Sequence, residues 1–432
     1  MRRLLVRRSL TAVGLYASVA LGFLGTVVAA HELPTLRSLG DYTSVIFATG
    51  FLQSFFDLTV EEALVKYGFR YTSREDWGRL RGLFRAALLF KVAGAALGAL
   101  ALVLAAAFAP SRLAVPLLIA AGIPLGQSLE GLAGSALYLR SRYDIRSAFL
   151  AWSMALRLAG IAIGAHFGVV EAIGGVLAAQ LAATASVGIA GRAAFNRFPV
   201  RPTAPLGADR REIASFVAQS SVATGVLSLR GGLAPLLLGG VTSTVQVALY
   251  KIAQAPQTAF QALSAPARMV LLTEQTRDWE RGEQAAVLRD VRRYSAVALV
   301  IALVTVPPLV VFVPDLISLI YGAKYTPAAT AARLFILAAA VQLVVGWSKS
   351  LPVTIDRPGL RVWTHGLETA IVLPLVVVFG LAWGAAGAAG AVLVGMCVFA
   401  AVWIAVFLRI RPENVHRPEP ADEVGEAGAL AR

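Results

Sequence analysis

Several ionisable side chains of this sequence stand inside long apolar stretches: Lys91, Arg157, Arg230, Lys251 and Arg333, and the acids Asp57, Glu61, Glu130 and Glu368. An ionisable group at mid-bilayer costs about 2.5–3.5 kcal/mol on insertion scales, so each needs a compensating role. For the basic residues the candidate roles are an ion pair, snorkelling to an interface, or binding an anion, which a guanidinium does with a bidentate fork. For the acids it is ion pairing, or uptake of a proton or sodium ion.

Position divides them further. Arg230 lies about 25 Å into its segment. It is followed by Gly231, Gly232 and Pro235, a run that weakens a helix and offers a hinge. It reads as a cavity cation, as half of an interhelix salt bridge, or as an outward snorkel. Lys251 enters the next segment to a similar depth, as a cavity cation or an interfacial anchor. Arg157 is near mid-segment, about 16 Å deep, and either faces a cavity or pairs with an acid, Glu130 being the natural partner. Lys91 and Arg333 lie close enough to an interface to snorkel. Asp57 and Glu61 share a helix face at i,i+4, and Glu62 and Lys66 form another such pair. Salt bridges to loop arginines, or cation coupling, are the two readings for Asp57 and Glu61, and also for Glu368.

The elements that must position these groups are membrane helices. The chain has 432 residues, 57% hydrophobic and 15% charged, with a mean hydropathy of +0.71. A soluble domain averages ~45–50% apolar and ~25% charged. A crossing helix needs about 20 apolar residues. Twelve such segments are readable: 10–31, 41–66, 84–109, 113–139, 147–168, 171–191, 213–238, 244–270, 294–314, 328–350, 362–382 and 385–408. The first reads as a retained helix, because its apolar stretch exceeds the 7–15 residues of a signal peptide.

The net charge of +14 has a topological meaning. With the N-terminus inside, 31 of the 39 Lys and Arg residues fall in inner loops or tails, and only Arg37, Arg112 and Lys324 fall outside. That asymmetry is the positive-inside pattern and places both termini in the cytoplasm. No basic run with interleaved aromatics suggests nucleic acid. Cys397 is the single cysteine and the four His are scattered, so neither a disulfide nor a metal site is expected. No phosphate-binding loop for ATP occurs. No cofactor is expected.

The inner loop 192–212 carries Pro199, Pro202 and Pro205 and reads as a linker between two six-helix lobes, 1–191 and 213–410, followed by a disordered tail, 411–432. A shift of 208 places Tyr42 on Tyr250 and Gln53 on Gln261. The identities are few, but matching architecture suggests a parallel repeat about an axis along the membrane normal. The segments Ser73–Arg85 and Arg281–Arg293 read as amphipathic helices lying along the membrane, with Trp77, Leu80, Leu83 and Phe84 toward lipid.

Leu39-Gly40-Asp41-Tyr42, Phe55-Phe56-Asp57-Leu58, Ala63-Leu64-Val65-Lys66-Tyr67, Val247-Ala248-Leu249-Tyr250-Lys251 and the turn Tyr321-Gly322-Ala323-Lys324-Tyr325-Thr326-Pro327-Ala328 together resemble the Wzx-like oligosaccharide flippases of the MOP exporter superfamily. The resemblance runs from about 10 to 410. Thr59 departs from it, where Asp-Leu-Gly is common. It implies an all-α integral membrane protein, two six-helix lobes around a central cavity, in a bacterial cytoplasmic membrane. It implies a polyprenyl-diphosphate-linked oligosaccharide as substrate, with membrane lipids and polysaccharide polymerase or ligase machinery as partners. Arg230 and Lys251 at one level would then suit a diphosphate, with Arg157, Lys91 and Arg333 as further basic candidates. The alternatives are a cation-coupled multidrug antiporter of the same superfamily and, ranked lowest, a membrane enzyme on lipid-linked sugars. Short outer loops and the lack of paired catalytic carboxylates speak against an enzyme.

Overall fold

The computed structural model describes residues 2–56, 59–261, 275, 278–279, 281, 283–355 and 357–409, and their side chains from Leu10 onward except at 223, 224, 227, 353 and 358. Asp57, one of the candidate coupling acids, and the tail 411–432 lie outside the described residues.

Among those residues the fold is all helix. The first half comprises α1 (Arg2–Glu32), α2 (Leu36–Phe56), α3 (Val60–Ser73), α4 (Trp77–Phe108), α5 (Ser111–Ala120), α6 (Gly122–Leu139), α7 (Tyr143–Ala165) and α8 (Val169–Phe195). The second comprises α9 (Asp209–Ser228), a π-helix (Leu229–Leu233), α10 (Ala234–Val241), α11 (Thr244–Ala253), α12 (Gln284–Tyr321), α13 (Ala329–Val344) and α14 (Pro358–Arg409). Eight helices are long and apolar enough to cross a membrane, or nine if the pair α2–α3, bent by 41°, is one span.

The remaining crossings have physical explanations. α14 has 52 residues, more than twice what a bilayer needs. Gly384, at φ 58° and ψ −135°, folds it into two antiparallel limbs. Only glycine adopts this backbone without strain. The Gln246 side chain caps the returning limb by accepting the Ala385 N–H at 2.8 Å. The crossing α9–α10 is interrupted by the π-helix, and α11 continues into 255–261. Counting the doubled α14, the bent pair α2–α3, α9–α10 and α11 with 255–261, the described residues account for twelve apolar passes, and the chain is a multi-pass membrane protein.

Both interfacial helices expected from the sequence are instead the first turns of crossing helices. α4 runs unbroken from Trp77 to Phe108, and α12 from Gln284 to Tyr321. Asp76 caps α4 by accepting the Arg79 N–H at 3.1 Å, and no proline follows to separate its basic start from its apolar body. Trp77, Leu80, Leu83 and Phe84 do not face lipid. Leu80 and Leu83 are buried, Trp77 stacks on Phe198 at 5.6 Å, and Phe84 meets Phe195 at 4.6 Å. The connecting segment 196–208 folds onto this start, where Ala204 N–H donates to the Gly78 carbonyl at 3.0 Å. A Cβ at Gly82 would stand 2.2 Å from the Ala204 carbonyl oxygen, so Gly82 is what lets the segment lie there.

α12 keeps its path through Pro307, Pro308 and Pro314. Pro314 cannot donate to Val310, four residues earlier. Arg333 of α13 supplies the missing donor, its Nε reaching the Val310 carbonyl at 3.0 Å. Arg333 therefore does not snorkel. In Arg333→Met that carbonyl loses its donor in an apolar setting, and a loss of about 1–3 kcal/mol is expected. A lowered melting temperature of the purified protein checks it.

Candidate functional site

A cavity of about 180 Å³ lies between α1, α2, α7 and α11 and is bordered by two of the basic residues. Its polar lining is Thr26, Tyr42, Thr43, Arg157 and Lys251; Leu21, Met154, Leu158 and Ile161 form apolar walls. Among the described residues no carboxylate lines it. Arg157 comes within hydrogen-bonding reach of the Tyr42 hydroxyl. Lys251 lies within electrostatic reach of Arg157, and its ammonium stands 5.3 Å from the Phe47 ring centre. Neither cation pairs with a carboxylate among the described residues. Gly22 and Gly25 keep α1 thin where it borders the cavity, a Cβ at Gly25 meeting Ile161 at 3.2 Å.

Two cations in one low-dielectric space repel each other and lose hydration, a cost that an anion between them would offset. The pair differs from the one expected. Lys251 lies beside Arg157, whereas Arg230 turns away from the cavity to a partner within its own lobe. Arg230 sits in the π-helix and donates from Nη1 to Glu368 Oε1. Glu368 is 1% exposed and also accepts from His365 Nδ1 at 3.2 Å. His365 stacks on Phe399 at 5.0 Å. Of the hinge candidates, Gly231 and Gly232 lie within the π-helix and Pro235 opens α10. A Cβ at Gly232 would come within 2.7 Å of Phe51 Cβ on α2.

The remaining candidates are ion-paired inside the first lobe. Glu130 does not meet Arg157. It accepts from Arg146 Nη1 at 3.1 Å and from Gln180 Nε2 at 3.0 Å. The reason is local: a Cβ at Gly134 would stand 2.6 Å from Arg146 Nε, so that glycine leaves a path for Arg146 across α6. Lys91 does not snorkel either. It is 3% exposed and donates to Glu61 Oε1 at 2.9 Å. Glu61 in turn lies over Gly131, where no side chain could stand.

Two closures between the lobes were not read from the sequence. At the basic end, Arg70 of α3 forms a two-armed bridge to Glu212 of α9, both bonds 3.1 Å, and Tyr67 adds a third at 3.2 Å. Tyr71 donates to Asp209 at 2.8 Å, and Arg79 lies 3.6 Å from the same carboxylate. At the opposite end, Tyr325 donates to the Ala30 carbonyl at 2.8 Å and Lys324 approaches that of Leu33 at 3.4 Å. These oxygens end α1, where carbonyls lack helical partners and a cation is favoured. The repeated Tyr and basic residues were visible, but which carbonyl or carboxylate each reaches depends on tertiary structure.

The hydrogen bond from Arg70 holds the Glu212 carboxyl below the usual carboxylate range. Burial, reinforced by the bond to Asp209, pushes the Tyr71 hydroxyl up. A depressed carboxyl contributes above its ordinary value of ~4.3 and ceases to contribute as pH falls through the lowered value. The Glu212 bridge should therefore stay closed from pH 8 to pH 5. Spin labels at Arg74 and Arg211, in a chain with Cys397→Ser, should report one distance over that range. Glu212→Gln should lengthen or broaden it at pH 7.

No protein-family model matches the chain, and no curated protein matches it in sequence. Solved structures do match in shape. The lipid II flippase MurJ, in an inward closed conformation, aligns with TM-score 0.72 and 13% identity, over 94% of this chain and 88% of that one. The fold is that of the MOP superfamily transporters. An inward-facing multidrug resistance MATE family transporter of that superfamily aligns with TM-score 0.66 and 13% identity, over 96% and 99% of the two chains. A MOP superfamily transporter from Pyrococcus furiosus, described as having a binding pocket of reverse polarity, aligns with TM-score 0.61 and 12% identity, over 93% and 94%.

Proposed function

We propose that this chain is a flippase that carries a polyprenyl-diphosphate-linked oligosaccharide across a bacterial cytoplasmic membrane by alternating access. The observation that carries the reading is the cavity lined by Arg157 and Lys251 and, among the described residues, by no carboxylate. Such a space rejects organic cations and favours a compact multivalent anion. A diphosphate supplies the missing charge, Tyr42, Thr26 and Thr43 add hydroxyls, and the sugar and prenyl chain extend beyond an enclosure of this size. Arg230, the residue expected to lead the site, takes the second position: it is held by Glu368 and joins the anion only when that pair opens. Lys91 and Arg333, committed to Glu61 and Val310, serve the scaffold.

The two closures describe how access would alternate. The basic-end bridge between α3 and α9 opens in one state, and the Tyr325 contact with α1 in the other. Both termini would face the cytoplasm, with 192–212 as the connection between the moving lobes 1–191 and 213–410. The chain performs no bond chemistry in this reading. Polysaccharide polymerase or ligase machinery would act on what it delivers.

The test uses proteoliposomes with a fluorescent polyprenyl-diphosphate oligosaccharide, scored by access of an external sugar-binding probe. Transfer by the wild-type protein supports the reading. No transfer, with proton-driven efflux of an organic cation from the same vesicles, would replace it by the multidrug antiporter.

A further inference from the structure

Glu368 is the most deeply buried acid among the described residues of the second lobe, and two basic groups share it. Arg230 takes one oxygen and His365 the other. A carboxylate can only accept, so His365 Nδ1 carries a hydrogen and Nε2 is the position left for a second proton. With neutral His365 the cluster sums to zero. With His365 protonated, two cations compete for one carboxylate and the cluster carries one positive charge. Imidazole is the side chain whose ordinary charge change falls in the physiological range.

We propose that His365, Glu368 and Arg230 form a proton-binding site, in which a proton on His365 frees Arg230 from Glu368 and makes it available to the anionic head group. The inference rests on the flippase reading for its anion, but the proton site itself does not.

Three features make the release mechanically feasible. Arg230 lies in a π-helix, whose extra residue per turn breaks the regular ladder and marks functional sites in many helices. Gly231 follows it, and a Cβ there would meet nothing within 4 Å. The Arg230 side chain keeps 22% of its surface open, whereas Glu368 keeps 1%. The arginine can therefore leave and the carboxylate cannot.

Arg361 stands one turn before His365 on the same limb, and among the described residues no further ion pair reaches Glu368 or His365. From the π-helix the facing group is Arg230 itself. From α11 it is Tyr250, within electrostatic reach of Arg230 and next in sequence to the cavity lysine. From the returning limb of α14 it is the uncharged Phe399. On α13, Arg333 is occupied by Val310. Coupling between two ligands is reciprocal, so a proton that favours the anion is itself favoured by it.

The chain has four histidines, so selective ¹⁵N-histidine labelling gives a spectrum in which His365→Gln identifies one signal. In the full chain in nanodiscs that signal should move reversibly as protons are added. Arg230→Gln, which removes the competing cation, should raise its proton affinity about tenfold, within the usual range of coupling between sites. At fixed pH 7, adding polyprenyl diphosphate should move the wild-type signal toward its protonated position and leave the Arg230→Gln signal in place. A signal that does not titrate, or one that titrates identically in wild type and Arg230→Gln, overturns the proposal. If the flippase reading fails, polyprenyl diphosphate leaves the wild-type spectrum unchanged while the Arg230 dependence of the titration persists.

Discussion

Replacing either cavity cation should abolish transport and at the same time stabilise the empty protein. In Arg157→Gln and Lys251→Gln the repulsion between two unpaired cations disappears, and with it the cost of keeping both without an anion. A gain of about 1 kcal/mol in each is expected, read as a higher melting temperature of ligand-free protein in detergent. Transfer of the lipid-linked oligosaccharide should fall at least a hundredfold, because a multivalent phosphate loses a charged partner that nothing else in the cavity replaces. Structural residues behave otherwise, losing activity only as they lose stability. Lower melting temperatures for both variants would place Arg157 and Lys251 among the scaffold.

Arg230 should give the opposite stability result. Arg230→Ala leaves Glu368 buried with only His365 as partner, and breaking a buried pair by removing one member costs about 3–5 kcal/mol. Protein level and melting temperature should both fall. Replacing both members with apolar residues of similar volume, as in Arg230→Met with Glu368→Leu, removes the orphaned charge and should restore most of that loss. The pair of experiments separates a residue that holds the fold from one that serves the anion. Full stability of Arg230→Ala alone would mean that Glu368 is not held by Arg230. The double variant should remain inactive, since neither the proton site nor the third cation survives.

The sequence showed the crossings well because hydrophobic length and basic-loop asymmetry are local properties. It also drew attention to the ionisable residues of the apolar stretches, since a charge there needs a reason wherever it lands. Their partners were less legible. Arg146 and Arg157 are 11 residues apart, three turns, so they share a face of α7 and spacing alone could not decide which meets Glu130. Gly134 decided it, by leaving room for the Arg146 side chain. Gly131 does the same for Glu61, which holds Lys91 inside the lobe. The sequence Glu130-Gly131-Leu132-Ala133-Gly134 therefore contained the signal, in its glycines and not in its charges. Arg333 had a readable signal too: a proline in the preceding helix frees a carbonyl four residues earlier, and a nearby arginine is a natural donor. The amphipathic look of 73–85 misled because its apolar side is covered by 196–208, a segment distant in sequence.

The central claim is that the cavity is completed by an anion held between Arg157 and Lys251. The measurement that tests it most directly is binding of a polyprenyl-diphosphate sugar to the purified protein, against the same lipid-linked sugar without its diphosphate. Tight binding of the diphosphate form, weakened at least tenfold by Lys251→Gln and by Arg157→Gln and undetectable for the uncharged lipid, is the predicted result. Equal binding of charged and uncharged lipids, or binding that survives loss of both cations, would contradict the claim.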